Sequence, residues 1–132
     1  MSTEQQLEVE VHGPSRVPLE EIERLLALAL GSAGIEDGHV AIQFVGAERI
    51  VELNAAHLGK NEPTDVISFP IDGAEPVLGP RELGDIVICP QHTENLREAI
   101  IHGALHLAGM DHETDDGEML AVQREILTWV TP

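Results

Sequence analysis

The residues most able to do chemistry lie in one run, His102-Gly103-Ala104-Leu105-His106-Leu107-Ala108-Gly109-Met110-Asp111-His112, which holds three of the chain's seven histidines as H-x-x-x-H-x-x-G-x-x-H. Two histidines four apart lie on one face of a helix, about 6 Å apart along its axis, close enough to share an ion. Gly109 falls where the helix can end on a left-handed residue, a conformation only glycine adopts cheaply. The chain then turns back and offers His112 as a third ligand. Three neutral imidazoles on a tetrahedral ion leave one position open, the form of a catalytic rather than a structural zinc site. A lone histidine on a helix face is an ordinary packing residue. Three with a glycine at the bend are not explained by packing, because buried polar rings need partners.

The spacing is similar to the metzincin protease signature H-E-x-x-H-x-x-G-x-x-H, but Gly103 stands where those enzymes carry their glutamate base. A peptidase of that type would lack its base here. The other histidines, His12, His39, His57 and His92, sit outside ligand spacing and are not expected to bind the ion; His57 is expected to lie nearest the site. Candidate proton-transfer groups are Asp65, Asp85 and Asp111, each with an ordinary alternative as a cap, a turn residue or a partner that orients a histidine. Asp111, beside His112, is best placed for that last role. Thr64 and Ser68 are either pocket hydroxyls or ordinary strand residues. Lys60, the chain's only lysine, is the only base in its loop and reads either as a phosphate contact or as a solvated side chain.

The 132 residues suit one compact domain, 1–132, and the 42% hydrophobic content is enough for a core. Aromatics are only 2%, so that core must be aliphatic. The single Cys89 cannot form an internal disulfide, and Met1 to Glu10 has no signal-peptide character. The longest apolar run, Leu25 to Leu30, is too short to cross a bilayer. These features point to the cytoplasm. Twenty-four acidic against seven basic residues give a formal charge of −17, a field that repels polyanions. Any RNA substrate needs the metal and a local patch to overcome it.

The surrounding elements read as follows. Leu7 to Val11 alternates apolar and acidic residues, as a half-buried strand does. After Pro18, Leu19, Ile22, Leu25, Leu26 and Ala29 form an apolar helical stripe that ends at Gly31 to Gly34. Val40 to Val45 is a buried strand, and Ala47 to His57 a helix turning Ile50 and Leu53 inward. Gly59 to Pro63 is a loop and Thr64 to Pro70 a strand. Gly73 to Gly84 is a Gly- and Pro-containing loop, expected to be mobile. Asp85 to Cys89 is the last strand. Pro90 marks the start of a helix carrying Leu96, Ile100 and the histidines. Asp115 and Glu118 look like a capping pair for a final helix that buries Met119, Val122, Ile126 and Trp129. Interleaved helices and strands predict an α+β fold: a small mixed sheet flanked by helices, its last two strands able to pair antiparallel, with the metal site at the end of a core helix.

Taken together, Leu53-Asn54, the block Pro63-Thr64-Asp65-Val66-Ile67-Ser68-Phe69-Pro70, the strand Gly84-Asp85-Ile86-Val87-Ile88-Cys89 and the triple-histidine run resemble the YbeY family of bacterial metal-dependent endoribonucleases. The resemblance runs from about Asn54 to the final helix. It implies a mixed sheet flanked by helices and one ion, usually described as zinc, on His102, His106 and His112. It also implies action on single-stranded RNA at the 3′ end of small-subunit rRNA and a part in ribosome quality control; no DNA or membrane partner is expected. The family's arginine before the T-D-V block aligns with Leu58 here, Met110 stands where a tyrosine is usual, and the stretch from Pro90 to Ile101 is shorter than in typical members.

The reading is therefore a zinc-dependent, single-strand-specific endoribonuclease of rRNA maturation, with Lys60, Asp85 and Asp111 as candidate catalytic groups. The alternatives are a metallohydrolase on another substrate, including a peptide, and a ribosome-associated metal-binding protein with weak or no nuclease activity, which Leu58 and the acidic charge favour.

Overall fold

A computed structural model describes residues 7–58, 66–72, 79–112 and 114–130. Four strands, β1 (Leu7–His12), β2 (Gly38–Phe44), β3 (Val66–Pro70) and β4 (Glu82–Ile88), form one sheet in the order β1-β2-β4-β3. β1 and β4 run parallel to β2, and β3 runs antiparallel to β4, so the sheet is mixed as the sequence predicts. The helices are α1 (Leu19–Ser32), α2 (Ala47–Leu58), α3 (Leu96–Leu107) and α4 (Glu118–Val130). No described helix is long and apolar enough to cross a membrane.

Side chains alternate between the two faces of a strand, and this alternation sorts the layers. Val40, Ile42 and Phe44 of β2 and Ile86 and Ile88 of β4 face the main core, where they meet Ile22, Leu25, Leu26 and Leu30 of α1 and Ile100, Ile101, Ala104 and Leu105 of α3. α4 closes that layer with Met119 and Ile126. On the opposite face, Ile50 of α2 packs with Ile67 and Cys89, flanked by Leu53 and Phe69. β3 and β4 are thus covered on both sides, whereas β1 keeps Glu8, Glu10 and His12 exposed.

Several boundaries and orientations differ from the expectations. β4 begins at Glu82 rather than Asp85: His39 pairs with Glu82 and Val40 with Gly84, so Leu83 bulges out of register into the core. Gly79 to Arg81 precede the strand, and residues 73–78 of the expected loop lie outside the described residues. The helix bearing the histidines starts at Leu96, not Pro90. Pro90–His92 is a separate 3-10 turn, and the Asn95 side chain caps α3 by accepting from the Glu98 amide. At α4, Asp115 accepts from the amides of Gly117 and Met119, while Glu118 accepts from Asp116, so the anticipated pair caps the helix one residue out of the usual reciprocal pattern. Leu19, the first residue of α1, and Trp129, in the last turn of α4, are 51% and 52% exposed rather than buried with the rest of their apolar stripes.

Candidate metal centre

α3 reaches the sheet so closely that its middle has no room for a side chain. A methyl group at position 103 would lie 2.6 Å from Cγ2 of Ile86 on β4, and Ser68 of β3 donates to the Gly103 carbonyl at 3.2 Å. Gly103 is therefore a packing glycine, and position 103 faces the sheet. His102 and His106 lie beside this contact on the same helix.

The helix ends as its glycine foretells. Gly109 has φ of +99°, its amide bonds to His106, and the Met110 amide reaches back to Leu105, the paired bonds of a Schellman motif. That reversal delivers His112. The three ring centroids are 4.7, 5.1 and 5.3 Å apart, and one ligand atom from each ring lies within 4.8 Å of the others. A zinc–nitrogen bond of about 2.1 Å plus about 1.1 Å from nitrogen to ring centre places tetrahedral imidazole centroids about 5.2 Å apart. The triad has that spacing, so these residues fit a single ion.

The hydrogen bonds also fix which nitrogens can bind. His106 Nδ1 lies 3.0 Å from the Met110 carbonyl oxygen, which can only accept, so this nitrogen carries the proton and Nε2 keeps its lone pair. His102 Nδ1 lies 2.8 Å from Oε1 of Gln123, whose Nε2 donates to Glu98 at 3.1 Å. Burial, foremost, and then the neighbouring His102 lower the His106 pKa, while the Met110 carbonyl opposes the shift. A neutral imidazole is the form that binds a metal. All three rings are half-buried. A cavity of about 440 Å³ opens beside His102, with Glu98, Gln123, Leu120 and Val66 in its wall.

The proposed proton-transfer groups are distributed unevenly. Asp111 is exposed beside the triad, its charge opposes the lowering of the His106 pKa, and its carbonyl accepts from Thr114 and Asp115. Asp85 pairs with Ala41 and Phe69 across the sheet and alternates with Ile86, so it faces the α2 side, away from α3. The structure does not bring it to the histidines. Lys60, Thr64 and Asp65 lie outside the described residues. His57 and Leu58 occupy the last turn of α2, and their side chains are likewise outside the description. His39 lies on the outer face of the sheet between Glu10 and Glu82. Among the described residues, the one cluster able to hold an ion is His102, His106 and His112.

Sequence reasoning missed Gln123 and Glu98. A signal was present: Gln123 falls four after Met119 and three before Ile126, so it interrupts an apolar stripe, and it is only 7% exposed. A polar residue on a buried helix face needs a partner, and this one has two.

Comparison with known proteins agrees with this arrangement. A profile described as endoribonuclease YbeY matches residues 15–131. A Bacillus cytotoxicus endoribonuclease YbeY is 39% identical over 128 residues, covering 80% of this chain and 82% of that protein. A Rubrobacter xylanophilus endoribonuclease YbeY is 36% identical over 124 residues, covering 89% of each. The solution structure of a Thermotoga maritima protein is similar at a TM-score of 0.57 with 29% identity, covering 90% of this chain and 86% of that one. With a mixed sheet, a histidine triad at the end of a core helix, and a profile match that spans nearly the whole chain, this protein belongs to the endoribonuclease YbeY family.

Proposed function

We propose that this chain is a zinc-dependent endoribonuclease that cuts single-stranded RNA, with the 3′ end of small-subunit rRNA as its substrate, the small ribosomal subunit as its partner and the cytoplasm as its place of work. The observation that carries the reading is the triad: three half-buried imidazoles at tetrahedral spacing, two of them with Nδ1 committed to acceptors. The relatives named endoribonuclease YbeY support RNA as the substrate class.

His102, His106 and His112 would hold the ion, and three neutral ligands leave its double charge uncompensated, which favours an anionic substrate. Bound there, a divalent ion supplies Lewis acidity for polarising a phosphoryl oxygen and acidifying water. The chain's own part is to keep three lone pairs converged and one side open. Asp111, exposed beside His112, takes the role of proton acceptor from water, and Lys60 that of a point-charge contact to phosphate. Asp85, on the α2 face, is given no step. Hydrolysis then adds water across one phosphodiester bond.

Peptide hydrolysis is disfavoured by Gly103, which faces Ile86 and leaves no room for a glutamate base. The test is to measure metal content, then RNA and peptide cleavage, on the same preparation purified without a nickel column, since imidazole sites accept nickel. One equivalent of zinc with RNA cleavage alone is the expected result. Peptide cleavage alone, or zinc binding without any cleavage, would replace the nuclease reading by one of its alternatives.

A further inference from the structure

The path from His102 into α4 is a closed set of donors and acceptors. Glu98 is a carboxylate and can only accept, so the Gln123 atom facing it at 3.1 Å must be the amide nitrogen. That orients Oε1 toward His102, 2.8 Å from Nδ1. An oxygen acceptor there requires His102 to carry its proton on Nδ1, which leaves Nε2 bare on the side of His106 and His112. The amide that does this is 7% exposed and is held by α4, whereas Glu98 and His102 both belong to α3.

We propose that Gln123 is a positioning residue that sets the tautomer and aim of His102, with Glu98 as the anchor that keeps the amide from flipping. This makes α4, which supplies no ligand itself, part of the metal centre. The proposal rests on reading the triad as a metal site. Without Glu98, Gln123 could turn its NH2 toward His102, which would push the imidazole proton to Nε2 and block the ligand atom. Partners of this kind contribute roughly 10–100-fold in metal affinity.

The experiment uses the full chain, with zinc affinity measured by chelator competition and the His102 tautomer read from ring 15N shifts of metal-free protein. Gln123→Leu keeps apolar packing between Met119 and Ile126 and so preserves the fold, while removing the acceptor. It is expected to weaken zinc binding by about 10–100-fold and to populate the Nε2-protonated tautomer. The exchange Glu98→Gln with Gln123→Glu keeps the net charge and every hydrogen bond: the new amide donates to the new carboxylate, which accepts from His102 Nδ1. It is expected to restore zinc affinity to the wild-type level or tighter. Wild-type affinity and tautomer in Gln123→Leu, or an exchange variant no better than Gln123→Leu, would overturn the positioning role alone. A wild type that takes up no zinc would overturn the metal site and the positioning role with it.

Discussion

Replacing Gly103 by alanine sets two effects of opposite sign against each other. In an unobstructed helix interior, Gly→Ala stabilises by about 1 kcal/mol, because glycine loses more backbone freedom on folding. Here the added methyl would meet Cγ2 of Ile86 at 2.6 Å, and Ile86 is fully buried on β4. That atom sits on a β-branched carbon with little rotameric freedom, so relief must come from α3 backing away from the sheet. Overpacking of this kind costs about 1–3 kcal/mol. The net expectation for Gly103→Ala is a loss of about 1 kcal/mol and a Tm lower by a few degrees. Because His102 and His106 ride on the same helix, zinc affinity should fall as well.

The clash can be isolated with a double-mutant cycle. Ile86→Ala alone should cost about 2–5 kcal/mol through the cavity it leaves. In the pair Gly103→Ala with Ile86→Ala, the new methyl has space, so the combined loss should be smaller than the sum by about 0.5–3 kcal/mol. Denaturant unfolding with zinc titration on all four proteins is the assay. A Gly103→Ala protein that is more stable than wild type, with strictly additive behaviour in the cycle, would refute the close-packing account of this position.

The remaining predictions concern charge. His39 bonds to Glu82 at 2.9 Å and to Glu10 at 2.6 Å, contacts that hold its pKa above the ordinary histidine value, Glu82 foremost. Its contribution to stability should be fully present below about pH 6.5 and disappear as pH rises through the raised folded value. The stability gap between wild type and His39→Gln should therefore be wider at pH 6 than at pH 9, and a gap that grows with pH would contradict this. Leu58→Arg should strengthen single-stranded RNA binding or cleavage at low salt by about one to two powers of ten, the worth of a charged hydrogen bond, and Lys60→Ala should weaken it. A vigorous wild type indifferent to both changes would place the phosphate contact elsewhere. Arg97, which pairs with Glu21 between α3 and α1, is 40% exposed, so Arg97→Ala should cost no more than about 1 kcal/mol by thermal unfolding.

The parts of the fold legible in the sequence were those set by periodicity and turn chemistry. The alternation of Leu7 to Val11, the stripe from Ile22 to Ala29 and the stop at Gly109 each follow from local rules, and each is seen in the structure. Boundaries that depend on tertiary pairing were not legible. Leu83 enters the core only because β4 bulges against β2, which no local pattern announces. Pro90 reads as a helix start because proline suits a first turn, yet the chain spends Pro90–His92 on a 3-10 turn and lets Asn95 open the helix. At the site, ligand spacing fixed the triad, whereas the partner of His102 comes from a helix 21 residues away in sequence and is visible only once α3 and α4 are packed. By motif alone Gly103 reads as a missing base; its physical cause, the contact with Ile86, is a property of helix against sheet.

RNA cleavage by this chain is expected to depend on one ion held by His102, His106 and His112. Its most direct test is the initial rate of single-stranded RNA cleavage as zinc is added to metal-free protein, with His106→Ala run in parallel. The rate should climb from baseline and saturate at one equivalent per chain, with a flat response for the variant. Cleavage by metal-free protein at the full rate, or equal rates for wild type and His106→Ala, would contradict it.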